Sequence, residues 1–151
     1  MRIDSSPRTD IAQAYESSSD SDQELVLNLA LFLSNFLNTH LRLVENPENK
    51  DVLLNAHLYL IKISQVPERE VFKICLEYWS KLVSELYEEI QQLPISEMNP
   101  LLGLNLNHGG QGNRNGLNLR KNIYADVLSN LRLVMIERMV KPEEVSALRL
   151  R

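Results

Sequence analysis

The placing of glycine and proline constrains this chain more than any other feature. All five glycines fall between Gly103 and Gly116, and the six prolines (Pro7, Pro47, Pro67, Pro94, Pro100, Pro142) stand between apolar-periodic segments. In a helix interior glycine costs about 1 kcal/mol and proline about 3. Their confinement leaves four long stretches without breakers, each repeating its apolar residues at helical spacing, and no strand pattern competes. The expected fold class is all-α.

The first stretch opens at Ser21-Asp22-Gln23-Glu24, an S-x-x-E pattern suited to capping a helix start, and runs to about Val44. Leu25, Leu29, Phe32, Leu33, Phe36 and Leu37 share one face, while Val26, Leu27, Ala30 and Leu31 spread apolar surface round the others. This helix needs covering on more than one flank. Pro47 opens the second stretch, about Glu48 to Ser64, carrying Val52, Leu53, Ala56, Tyr59, Leu60 and Ile63. Pro67 opens the third, with Val71, Cys75, Tyr78, Trp79, Leu82, Leu86 and Ile90, which ends before Pro94. The fourth, about Asn118 to Val140, carries Ile123, Val127, Leu131, Val134 and Met135 and is expected to stop at Pro142.

These stretches divide the chain. Residues 1–20 are polar and expected to be disordered, 21–65 form one antiparallel helical hairpin, and 66–141 form a second helical pair interrupted by a flexible Gly/Asn-rich linker at 93–117. Residues 142–151 are a tail. Two hairpins in series suit a stack of two-helix repeats, and they equally suit a closed four-helix bundle. The period of the sequence leaves both open.

Composition narrows the function. With 16 Lys+Arg against 20 Asp+Glu the formal net charge is −4, which argues against a nucleic-acid binder. The start of the chain lacks the apolar core of a secretory signal, and its most apolar stretch, Leu25 to Leu33, is too short to span a membrane. Cys75 has no second cysteine to pair with. His40, His57 and His108 show no metal-ligand spacing, so no metal or other cofactor is expected. His57 is placed on the flank of its helix, hydrogen-bonded or solvated. Cys75 lies on an apolar stripe and reads as a small core residue rather than a nucleophile. The loop Gly110 to Gly116 lacks the spacing and the preceding strand of a phosphate-binding loop. Phe72, Tyr78, Trp79 and Tyr87 read as packing aromatics, and Glu85, Glu88 and Glu89 as a solvated acidic face. The acidic serine run Ser17 to Asp22 is a candidate for phosphorylation beside a helix start. Residue chemistry by itself defines a helical interaction module.

The order of the segments says more. Val71-Phe72-Lys73-Ile74-Cys75-Leu76-Glu77-Tyr78-Trp79 and Glu137-Arg138-Met139-Val140-Lys141-Pro142-Glu143-Glu144-Val145 closely resemble stretches of the exportins, nuclear export receptors of the karyopherin-β (importin-β) class. Leu29 to Leu33 and Leu54 to Ile61 match in the same order, and Glu85 to Pro94 looks like a fungal form. The resemblance covers roughly residues 15 to 145. It implies a slice from the middle of a HEAT-repeat (ARM-like) α-solenoid, without enzymatic activity. Its parent would carry leucine-rich-signal cargo with GTP-bound Ran GTPase from nucleus to cytoplasm, shuttling through the nuclear pore, with neither nucleic acid nor membrane as partner.

The family's inhibitor-reactive cysteine belongs to later repeats, so Cys75 is not equated with it. Glu143 and Glu144 match the edge of the family's Ran-linked acidic loop and are the partner-binding residues the resemblance implies. The ends depart from the pattern: Ser146 to Arg151 stands where that loop should continue, and Met1 to Ala12 where earlier repeats should lie. A slice without neighbouring repeats is expected to self-associate. The alternative readings are a self-contained helical adaptor and, more remotely, a small helical enzyme using Cys75.

Overall fold

A computed structural model of the chain describes residues 7–92 and 120–149, with side chains over 11–92 and 120–139. The described residues form helices α1 (Pro7–Glu16), α2 (Asp20–Val44), α3 (Lys50–Ser64), α4 (Arg69–Gln91), a single turn α5 (Arg120–Ile123) and α6 (Ala125–Arg149), and no strand occurs among them. Only Tyr124 separates α5 from α6, and the hydrogen bonds Tyr124 N–H to Arg120 O and Leu128 N–H to Tyr124 O carry the ladder through it.

Local chemistry accounts for most boundaries. The cap of α2 is Ser19 rather than Ser21: its Oγ accepts from the Asp22 N–H at 3.2 Å, and the Asp22 carboxylate accepts from the Ser19 N–H at 3.3 Å. The reciprocal box therefore sits two residues earlier than the S-x-x-E pattern suggests, because Asp22 closes it as well as a glutamate does. Between α2 and α3, Asn46 Oδ1 accepts from the Asn49 N–H at 2.9 Å and turns the chain in five residues. Glu68 caps α4, its carboxylate accepting from the Glu70 N–H at 3.3 Å, so the helix starts at Arg69, two residues after the Pro67 expected in its first turn.

Two expectations about the ends are corrected. Residues 7–16, expected to be disordered on polarity, form α1, whose Ile11 and Tyr15 lie one turn apart and pack, half-buried, against the core. The fourth stretch does not stop at Pro142: the α6 backbone continues to Arg149, through the segment expected to be a tail. Proline has no N–H to give the carbonyl one turn before it, and a long helix absorbs that single loss. The expected linker at 93–117 lies outside the described residues.

The helices stack in two layers. α2 packs on α3 and also on α4, while α3 packs on α4 and also on α6. In a closed four-helix bundle the last helix returns to the first; here the main partners are each helix's next and next-but-one neighbours, which is solenoid packing. The core runs along the seam: Ala30, Leu37 and Leu41 of α2, Leu53, Leu60 and Ile61 of α3, Val71, Cys75, Tyr78, Trp79, Leu82 and Leu86 of α4, and Val127, Leu131 and Val134 of α6.

The α4 stripe is the one expected, with Ile90 only half-buried. The α2 stripe is not. Leu25, Leu29, Phe32 and Phe36, expected in the core, are exposed, Leu25 and Phe32 by 64% and 63%. At about 100° per residue the buried positions 30, 34, 37 and 41 lie on the opposite side of the helix from 25, 29, 32 and 36. α2 is therefore apolar on both sides, and among the described residues only one side is covered. Val52 and Tyr59, expected in the α3 core, are likewise exposed.

Candidate functional site

The polar groups of the interior gather where the α2–α3 turn, the end of α4 and the start of α5 meet. Glu45 closes α2, and Arg120 opens α5. The Arg120 Nε–H donates to both carboxylate oxygens of Glu45, at 2.8 and 2.9 Å, and the two side chains are only 8% and 7% exposed. The same guanidinium lies 3.6 Å from Glu85 and 3.8 Å from Glu89, each about one-third exposed. One cation thus faces three carboxylates. Burial opposes the Arg120 charge, but the hydrogen bond and charge of Glu45, with Tyr124 and Glu89 behind them, outweigh it and leave the Arg120 pKa raised. Glu85 and Glu89 were expected on a purely solvated face; Arg120 reaches them from 35 and 31 positions away (120 − 85 and 120 − 89). Glu88 alone of that acidic group is exposed.

Beside this ion cluster runs a buried hydrogen-bond chain. His57, expected on a helix flank, is fully buried. Its Nδ1 lies 2.8 Å from the Leu53 carbonyl and its Nε2 2.6 Å from the Tyr78 hydroxyl. A carbonyl only accepts, so Nδ1 carries the proton and Nε2 accepts from Tyr78. Burial pushes the His57 pKa below its usual value, against opposing pulls from the Leu53 carbonyl and the Glu45 charge. Tyr124, whose ring lies 5.1 Å from that of His57, has its phenol pushed up first by burial and then by Glu45. A turn away, Trp79 Nε1–H donates to Ser64 Oγ at 2.9 Å, and Ser64 Oγ–H donates to the Leu60 carbonyl at 2.7 Å.

A second guanidinium holds α6 farther along. The Arg138 side chain donates to the Val66 carbonyl in the α3–α4 turn at 3.0 Å and lies over the Phe72 ring at 4.2 Å. Arg120 and Arg138 thus fasten α5 and α6 to two successive turns of the stack. The first of these turns also borders a cleft of about 380 Å³, lined by Glu45, Pro47, Lys50, Leu53, Asn122 and Ile123.

This arrangement ties the helices to one another. Cys75 is fully buried on the α4 stripe, and burial, opposed by Ser64 and Arg138, pushes its thiol pKa up, the reverse of a nucleophile's environment. Among the described residues no three His, Cys, Asp or Glu side chains are grouped to hold a metal ion. Tyr78 and Trp79 are core aromatics, Phe72 stacks on Arg138, and Tyr87 lies exposed, accepting from Gln91. Glu143 and Glu144 fall on the α6 backbone, and their side chains lie outside the described residues. The Glu45–Arg120 pair was missed in the sequence because it joins positions 75 apart across an aperiodic segment, and neither residue belongs to a motif.

Helices layered so that α2 rests on α3 and α4, and α3 on α4 and α6, with polar fasteners at the turns, define a stretch of a HEAT-type α-solenoid. Residues 51–87, which span α3 and α4, match the family described as chromosome region maintenance or exportin repeat, and residues 120–148, which span α5 and α6, match CRM1/exportin repeat 2. Exportin-1 of Schizosaccharomyces pombe is 61% identical over 142 residues, covering 91% of this chain and 13% of that protein. Exportin-1 of Drosophila melanogaster is 44% identical over 131 residues, 87% of this chain and 11% of its own length. Protein EXPORTIN 1A of Arabidopsis thaliana is 40% identical over 149 residues, 96% of this chain and 14% of its own length. The chain belongs to the exportin family, and it spans only about one-eighth of the length of these relatives. The repeat unit at 51–87 pairs α3 with α4, one helix out of step with the α2–α3 hairpin read from the sequence. Because α3 packs on both α2 and α4, the two framings share the same helix contacts.

Proposed function

We propose that this chain serves as repeats of a nuclear export receptor, a non-enzymatic solenoid that carries leucine-rich-signal protein cargo from nucleus to cytoplasm together with GTP-bound Ran. In this reading the protein shuttles through the nuclear pore, and Glu143 and Glu144 border the loop through which Ran controls cargo affinity. The observation that carries it is the double-sided α2: Ala30, Leu37 and Leu41 are covered, and Leu25, Leu29, Phe32 and Phe36 form a second apolar face. A helix of a self-contained globule hides one stripe, whereas a helix inside a longer stack packs on both sides. The relatives named exportin supply the transport role.

The test is a segment exchange. This chain replaces the matching segment of S. pombe Exportin-1, and nuclear export of a reporter bearing a leucine-rich signal is followed in cells lacking the native receptor. The reading expects export to be restored, and expects Glu143→Lys with Glu144→Lys to alter the Ran dependence of cargo binding. A stably expressed chimera that leaves the reporter in the nucleus contradicts it.

A further inference from the structure

The turn between α1 and α2 presents a run of serine hydroxyls at the surface. Ser17, Ser18 and Ser19 are the three residues between the helices, and Ser21 follows in the first turn of α2. Ser17, Ser19 and Ser21 are exposed. Ser18 is half-buried, its Oγ–H donating to the Tyr15 carbonyl at 2.6 Å. Ser17 Oγ–H likewise donates to the Gln13 carbonyl at 2.9 Å and Ser19 Oγ–H to Asp22 at 2.7 Å, so exposure, not hydrogen bonding, sets Ser18 apart. The sequence draws the same division. Ser17, Ser19 and Ser21 are each followed three residues on by a carboxylate, Asp20, Asp22 and Glu24 respectively, whereas Ser18 is followed by Ser21. Ser19 also stands in extended backbone, at φ −70° and ψ 159°.

Accessibility and charge pattern are independent properties, and here they select the same three hydroxyls and reject the same fourth. An exposed serine with a carboxylate at fixed offset is the substrate chemistry that a kinase with a basic peptide groove discriminates. We propose that Ser17, Ser19 and Ser21 are acceptor sites for an acid-directed serine kinase using MgATP, and that Ser18 is not. In each transfer the serine Oγ forms a bond to the γ-phosphorus of ATP and gives up its proton as the bond to the β-phosphate oxygen breaks and ADP leaves. Each phosphate adds a charge of about −1.5 to −2. At Ser19 the transferred group takes the place of the proton now donated to Asp22 at 2.7 Å. The exposed Asp22 carboxylate turns out to solvent, and the phosphate stays at the positive end of α2, accepting from the Asp22 N–H. The run then forms a strongly anionic collar one turn before Leu25, where the exposed apolar face of α2 begins.

The test incubates the full chain with an acid-directed serine kinase and MgATP and maps phosphate by tandem mass spectrometry. Phosphate is expected on Ser17, Ser19 and Ser21 and absent from Ser18. Asp20→Asn, Asp22→Asn and Glu24→Gln are each expected to lower modification of the serine three residues earlier by about tenfold. Ser19→Asn, which keeps a cap acceptor without a hydroxyl, is expected to leave phosphate on Ser17 and Ser21. An unmodified run under conditions where a control acidic peptide is fully phosphorylated overturns the proposal. So does phosphate on Ser18 as readily as on its neighbours, or indifference to the three carboxylate substitutions.

Discussion

At the scale of single residues the buried His57–Tyr78 and Ser64–Trp79 pairs join α3 to α4 through hydrogen bonds. His57 must stay neutral to accept from Tyr78, and burial holds its folded pKa below the ordinary value near 6.5. Above that value neither state binds the proton, so His57 makes stability independent of pH. As pH falls below it the unfolded chain protonates first, and stability drops by up to about 1.4 kcal/mol per unit until the folded pKa is reached. Denaturant titrations between pH 5 and 7.5 should show this slope, and His57→Gln should flatten it. Cys75, buried with a raised pKa, is expected to react with a thiol reagent only as fast as the protein opens. Labelling as fast as a free thiol in folded protein contradicts that placement. Cys75 was legible in the sequence because Val71, Tyr78 and Leu82 mark its stripe. His57 was not, because its partner Tyr78 lies 21 positions away and no local pattern announces a buried polar pair.

Helices are tied to one another by charges as much as by apolar contact. Arg120→Ala leaves Glu45 buried with no partner and Glu85 and Glu89 without their cation, and is expected to cost about 3–5 kcal/mol, measured by chemical unfolding. The double variant Arg120→Met with Glu45→Leu removes both buried charges and should recover most of that loss. If the single variant is no less stable than the parent, the ion pair does not hold α5 in place. The two faces of α2 separate just as cleanly. Leu37→Ala opens the covered side and should cost about 2–5 kcal/mol, while Phe32→Ser on the exposed side should change the stability of this chain by less than about 0.5. The sequence showed that α2 is apolar all round but not which side this chain covers. That depends on where α4 lies, and the two stripes are equally greasy. The boundaries of α2 and α4 were read to within a few residues because capping chemistry is local. α1 and the passage of α6 through Pro142 were misjudged because polarity and proline act as average penalties that a long or docked helix outweighs.

At the scale of the molecule, two layers of helices grow in one direction and leave apolar stripes facing outward, with Leu76, Val83 and Tyr87 on α4 repeating what Leu25, Leu29, Phe32 and Phe36 do on α2. The family resemblance was legible because Val71 to Trp79 keeps an unusual order of aromatics and cysteine. The choice between open stack and closed bundle was not, since both demand the same helical period. Buried apolar area of this kind contributes roughly 25 cal/mol per Å², so faces left open favour association. Sedimentation equilibrium of the chain alone, beside a variant with Leu25, Leu29, Phe32 and Phe36 changed to serine, tests the double-sided stack most directly. Concentration-dependent association that the four substitutions abolish without loss of helicity is the predicted result. A parent chain that stays monomeric at every concentration, with those four side chains inaccessible to solvent, contradicts it.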